Sequence, residues 1–142
     1  MQSSSIMKRL DEATASLVME TVDCLVQQLP ELQAIILYGS VARGKERSLS
    51  DPHPSDVDLL AIFDCDEPLL LPLRDAIFHA IGDAHRRHLH APRDVNVMLA
   101  TRSMQEWDTL FLENVARDGI VLFAHGPLPL PIASLAALLS NG

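Results

Sequence analysis

Three short runs of this sequence carry residue types that can do chemistry: YGSVARG (38–44), SDVDLLAIF (55–63) and DVNVMLA (94–100). Asp56 and Asp58 stand two apart at the start of an apolar run with strand character. Period two puts both carboxylates on one sheet face, roughly 6.5–7 Å apart along the chain. Like charges held in this way are unfavourable unless a cation lies between them. Hard oxygen donors in this number suit Mg²⁺, which takes one or two carboxylates plus substrate phosphates. Gly39-Ser40 falls where another apolar run, QAIILY (33–38), ends in a tight turn. Glycine lets the backbone come close to a ligand, free N–H groups at a helix start face anions, and the serine hydroxyl adds a donor. Arg43, Lys45 and Arg47 follow, a basic island in a chain where 11 Lys and Arg are outweighed by 19 Asp and Glu, for a net charge of −8. A phosphate-holding turn beside a carboxylate-held cation describes a nucleoside triphosphate site. The reaction class it suggests is phosphoryl or nucleotidyl transfer by in-line displacement.

The elements that must position these residues follow from periodicity. Leu10, Leu17, Val18, Val22, Leu25 and Leu29 fall on one helical stripe, which predicts a helix over 6–29 with N-caps in Ser3–Ser5 and a stop at Pro30. Residues 33–38, 57–63, 94–100 and 120–124 read as strands, the first two as buried apolar runs. Residues 41–47 read as a short helix and 48–55 as loop. Pro68 and Pro72 open a helix carrying Leu73, Ile77, Ala80, Ile81 and Ala84, which Pro92 ends. A further helix over 103–119 places Trp107, Leu110, Phe111 and Val115 inward and stops at Gly119. The tail predicts a Pro-rich connector and a short apolar helix over 131–140. Alternation of helices and strands implies an α/β (α+β) fold, a small mixed β-sheet packed with helices, in a single domain over 1–142 with its core at about 33–124.

Gly39-Ser40, Ala42-Arg43-Gly44 and Ser55-Asp56-Val57-Asp58-Leu59 together resemble the GS…DxD signature of the DNA polymerase β-like nucleotidyltransferases. The ARG element and the small size resemble most the minimal nucleotidyltransferases of bacteria and archaea, over roughly residues 33–124. The resemblance implies the polymerase β-like fold, with Gly39, Ser40 and Arg43 at the triphosphate of ATP or another nucleoside triphosphate. It implies Asp56 and Asp58 as Mg²⁺ ligands. Members of the family transfer a nucleoside monophosphate to an acceptor hydroxyl and release pyrophosphate. Many minimal members pair as antitoxin with a HEPN-domain toxin, and some attach AMP to a tyrosine of that toxin. A third carboxylate usual in the family has Asn96 as its match here, an amide that keeps an acceptor oxygen but loses charge and basicity. Asp94, on the same strand face but displaced by about 6.5–7 Å, is the alternative. Ser40 to Asp56 is longer than the family's usual spacing, so SLSDPHP (48–54) reads as an insertion.

Three functions stay open on this reading. The leading one is transfer of AMP to a partner protein. The second is a nucleotide-binding antitoxin that neutralises its toxin by occlusion, which Asn96 favours. The third is transfer to a small molecule of aminoglycoside type. An acidic chain argues against a general nucleic-acid binder. No run reaches the length of a membrane span, and the start of the chain lacks a signal-peptide pattern, so a cytoplasmic protein is expected. Two cysteines imply no disulfide framework. Cys24 reads as a buried small hydrophobe, and Cys65 stands between two acids that disfavour a thiolate. His79, His85, His88 and His90 show no metal-ligand spacing and read as a solvated helix end. Leu135, Leu138 and Leu139 could dock on the chain's own core, on a partner, or on a second copy to form a homo-oligomer.

Overall fold

A computed structural model describes residues 9–63, 70–87, 93–101 and 109–125. The first helix, α1, spans Glu12–Gln28. Asp11 caps it at that point, inside the helix expected over 6–29, accepting from the Thr14 amide and the Thr14 hydroxyl, both at 2.8 Å, and residues 6–8 lie outside the described residues. Ser3–Ser5 lie outside the described residues. The expected apolar stripe from Leu10 to Leu29 is buried throughout.

Strand β1 (Leu32–Tyr38) runs directly into a five-residue helix, α2 (Gly39–Arg43). This helix begins and ends two to four residues before the expected 41–47. Gly44 stops it in a left-handed conformation, φ 73°, where its N–H and that of Lys45 turn back on Val41 and Ser40. Then come β2 (Val57–Phe63), α3 (Leu70–Arg87), β3 (Val95–Ala100), α4 (Thr109–Asp118) and β4 (Ile120–Ala124). The tail helix expected at 131–140 lies outside the described residues, as do Cys65, Trp107, His88 and His90.

The sheet order is β3-β2-β1-β4, with β1 antiparallel to both β2 and β4 and β2 parallel to β3. This is a mixed sheet covered on both faces, which explains why β1 and β2 read as continuous apolar runs. On one face α1 and α3 pack Val18, Leu25, Ile77 and Ala80 against Ile35, Leu37, Leu59 and Ala61. On the other, α4 packs Leu112 and Val115 against Ile36, Leu60, Ile62 and Ala100. The inward residue of α4 is Leu112, fully buried, whereas Leu110, expected inward, is 64% exposed. Among the described residues α4 is the helix on this second face, and it covers the sheet short of the end where β2 begins.

Candidate active site

Asp58 lies at that end, on the α4 face, in register with Tyr38 of β1 on one side and Asn96 of β3 on the other. Alternation along β2 forces this: Leu60 and Ile62 point to the same face and are buried under α4, so Asp58 emerges beyond its cover. Asp56 precedes the strand and is exposed. The two carboxylates converge on one nitrogen: Asn96 Nδ2 donates to Asp56 Oδ2 at 2.9 Å and lies 3.4 Å from Asp58 Oδ1. Burial raises the pKa of Asp58 from its ordinary value, and the charge of Asp56 adds to the effect. The Asn96 amide and the Arg43 guanidinium oppose it.

Asp94 sits one residue before β3, level with Asp56. Its carbonyl accepts the Val57 N–H at 2.8 Å, and its exposed side chain hydrogen-bonds neither Asp56 nor Asp58. The side chain brought to the pair is therefore Asn96.

Gly39 closes the opposite wall. Its φ of 78° is left-handed, and a Cβ built on it would stand 2.5 Å from Asp58 Oδ2. Only glycine allows the β1–α2 bend to lie against that carboxylate. Among the described residues the Ser40 hydroxyl and the exposed Lys45 ammonium have no hydrogen-bond partner. Arg43 is exposed and close enough to Asp58 and Asp118 for its charge to lower the pKa of each. Arg47, the third member of the basic island, is engaged elsewhere: its Nε donates to the His53 carbonyl at 2.6 Å and holds the loop that carries it. Tyr38 packs edge-on to Phe111 with ring centroids 5.5 Å apart. Burial first, then Asp58, push its pKa up to about 12, so the phenol stays protonated at physiological pH.

Two carboxylates on a partly desolvated edge, one with a raised pKa, form a donor set of the kind a divalent cation takes. The Asn96 amide now presents N–H to both acids. A half-turn about its terminal torsion would present its oxygen instead, so the residues fit such an ion. The histidines behave differently: His85 Nδ1 is 2.9 Å from the Ile81 carbonyl in its own helix, and His79 Nδ1 is 3.3 Å from Gln28 Oε1. Cys24 is buried, and burial raises its pKa.

No sign in the sequence pointed to Arg93, which is 4% exposed and ties α1 to the loop before Asp56. Its partners are dozens of residues away in the chain, beyond the reach of any local pattern.

No family model matches the sequence, and no curated protein does. Solved structures do match. A candidate nucleotidyltransferase from Sulfolobus solfataricus aligns with a TM-score of 0.51 at 15% identity, over 88% of this chain and 89% of that one. A chain of a toxin–antitoxin complex crystallised with AMP-PNP aligns at 0.47 and 18% identity, over 75% and 73%. A chain from the complex of tri-AMPylated Shewanella oneidensis HEPN toxin with MNT antitoxin aligns at 0.41 and 16% identity, over 77% and 73%. At these identities the likeness to the Sulfolobus protein shows a shared fold: the mixed four-stranded sheet and its helices are those of a nucleotidyltransferase-type structure.

Proposed function

We propose that the protein is a Mg²⁺-dependent nucleotidyltransferase that moves AMP from ATP to an acceptor hydroxyl on a partner protein, in a toxin–antitoxin pair with a HEPN-domain toxin. The observation that carries the chemistry is the convergence of Asp56 and Asp58 on one point against the left-handed Gly39 bend. The HEPN partner and the choice of ATP follow from the family resemblance of the GS…DxD motif.

In this reading Asp56 and Asp58 hold the cation, and the bend with the Ser40 hydroxyl and Arg43 takes the β- and γ-phosphates. Mg²⁺ held by Asp56 and Asp58 would supply charge neutralisation to the reacting phosphates. The acceptor oxygen forms a bond to the α-phosphorus as the α–β bridging bond breaks. The hydroxyl proton is released and pyrophosphate leaves. The site's own residues orient the triphosphate: Gly39 permits close backbone approach, and Arg43 offers a fork of donors on the exposed side. Asn96 cannot take the acceptor proton. Asp94 is a further carboxylate at this end of the sheet, level with Asp56, and would complete the set if the acceptor brings it into reach.

The test is incubation with ATP labelled at the α-phosphate, Mg²⁺ and a co-expressed partner. Label should pass to the partner and fall roughly hundredfold or more in Asp56→Ala and Asp58→Ala. Label transfer that survives both changes would remove the proposal. A second reading, occlusion of a toxin by an inactive nucleotide-binding antitoxin, is favoured by the Asn96 amide bridging the two acids. Partner inhibition that persists in the Asp56→Ala, Asp58→Ala double variant, with no transfer by the native chain, would select it.

A further inference from the structure

We propose that Arg93 is a positioning residue for Asp56, fixing where that carboxylate stands relative to Asp58. The proposal rests on the reading of Asp56 and Asp58 as the cation-holding pair.

The two acids are held by different means. Asp58 lies inside β2, where pairing with both β1 and β3 sets its place. Asp56 lies outside the ladder, since Val57 is the first paired residue. It also follows a loop that starts near Gly44, and such a segment gives no fixed geometry by itself.

Arg93 supplies the constraint. Its side chain is 2% exposed. Burying a guanidinium is costly unless its donors are matched. Here they are matched by three separate segments. Nε donates to Thr14 Oγ1 at 3.0 Å, and one terminal nitrogen donates to the Arg47 carbonyl at 2.7 Å and the Ser55 carbonyl at 2.9 Å. The other terminal nitrogen is 3.8 Å from Asp11 Oδ1, and Asp11 caps α1 through Thr14. The Arg47 N–H donates in turn to Ser55 Oγ at 2.7 Å, which closes the loop at its base. Ser55 is thus held at both its carbonyl and its hydroxyl, and Asp56 is the next residue. A buried apolar side chain would fill this space as well, but it could not fix two carbonyls and a hydroxyl at once. Only the planar fork of arginine does that. A lysine keeps the charge but offers a single point of attachment.

The experiment measures binding of Mn²⁺ alone, read from the loss of the free-ion electron paramagnetic resonance signal, together with thermal unfolding. Mn²⁺ stands in for Mg²⁺ because both favour oxygen donors. Arg93→Lys should fold and bind Mn²⁺ at least about tenfold more weakly. Val22→Ala, a core change in α1 with a comparable fall in melting temperature, should bind as the native chain does. Arg93→Lys binding within twofold of native would overturn the proposal while leaving the site intact. Should Arg93→Lys not fold, the Asp11→Asn, Thr14→Val double variant loosens the α1 side of the guanidinium and leaves Arg93 in place. Weaker Mn²⁺ binding there upholds the proposal, and unchanged binding overturns it. A native chain that takes up no Mn²⁺ would remove the cation site itself, and the role of Arg93 with it.

Discussion

Asp58 is held in a charge state that its surroundings disfavour. A carboxyl whose folded pKa lies above its unfolded value contributes stability while it is protonated, and that contribution is lost as pH rises through the folded pKa. Burial and Asp56 raise the pKa of Asp58. Near neutral pH the charged side chain therefore weakens the metal-free fold. Asp58→Asn should raise the melting temperature of the metal-free protein, by an amount that solvent screening at this half-exposed site keeps small, and abolish any further rise on adding Mg²⁺. Differential scanning calorimetry with and without Mg²⁺ reads both effects; a fall in melting temperature would contradict the account. On the proposed function the same shift would let protons compete with the cation at a higher pH than an ordinary carboxylate would allow. Mg²⁺ affinity should then fall as pH is lowered toward the raised pKa of Asp58, before unpaired carboxylates titrate. Asn96 lies between these effects. Asn96→Asp turns a donor shared by two acids into a third negative charge, which should lower the stability of the metal-free protein and raise Mg²⁺ affinity on the order of tenfold. Isothermal titration at fixed pH decides this, since an amide acting only as a spacer would give the aspartate variant no gain.

The bend between β1 and α2 couples backbone to site chemistry. A side chain at position 39 meets two obstacles: the left-handed φ and the Asp58 carboxylate 2.5 Å from the new Cβ. Gly39→Ala should cost roughly 1–3 kcal/mol from backbone strain, with a steric contribution added. The two contributions separate in a double-mutant cycle. With Asp58→Ala the carboxylate is gone, so Gly39→Ala should cost measurably less than in the native background. Equal costs in urea unfolding would mean that the carboxylate does not press on the bend. The glycine and the two aspartates were legible in the sequence because their meaning is local: a turn after an apolar run, and two acids at period two. The strands were legible for the same reason, since a sheet covered on both faces writes a continuous apolar run. The start of α1 at Asp11, the stop of α2 at Gly44 and the choice of Leu112 over Leu110 were not. Each depends on which of several plausible caps or faces tertiary packing selects. Arg93 was least legible of all, because its role comes from Thr14 and Arg47, residues that only the folded chain brings to it.

At the scale of the whole molecule, the proposed function would have a chain of net charge −8 receive a polyanion. Long-range repulsion opposes a bare triphosphate, and the exposed Arg43 and Lys45 offer only local attraction. The pair Asp56 and Asp58 makes the conflict sharper, since it stands where the phosphates would come. A divalent cation resolves it at both scales, lowering the charge of the nucleotide and neutralising the acids. Nucleotide and cation should therefore bind as a unit. This appears in unfolding, because a ligand that binds the folded chain at a hundred times its dissociation constant adds about 2.7 kcal/mol. For a domain of this size that corresponds to a rise of roughly 5–15 °C in melting temperature. Mg²⁺ with ATP should produce such a rise, whereas ATP with a chelator should produce little. The Asp56→Ala, Asp58→Ala double variant tests the cause. With the two acids gone, the local repulsion falls and the cation has no ligands, so the difference between ATP with Mg²⁺ and ATP with chelator should shrink toward zero. A Mg²⁺-dependent shift that survives in that variant would place the cation on the nucleotide alone and take the two aspartates out of the site.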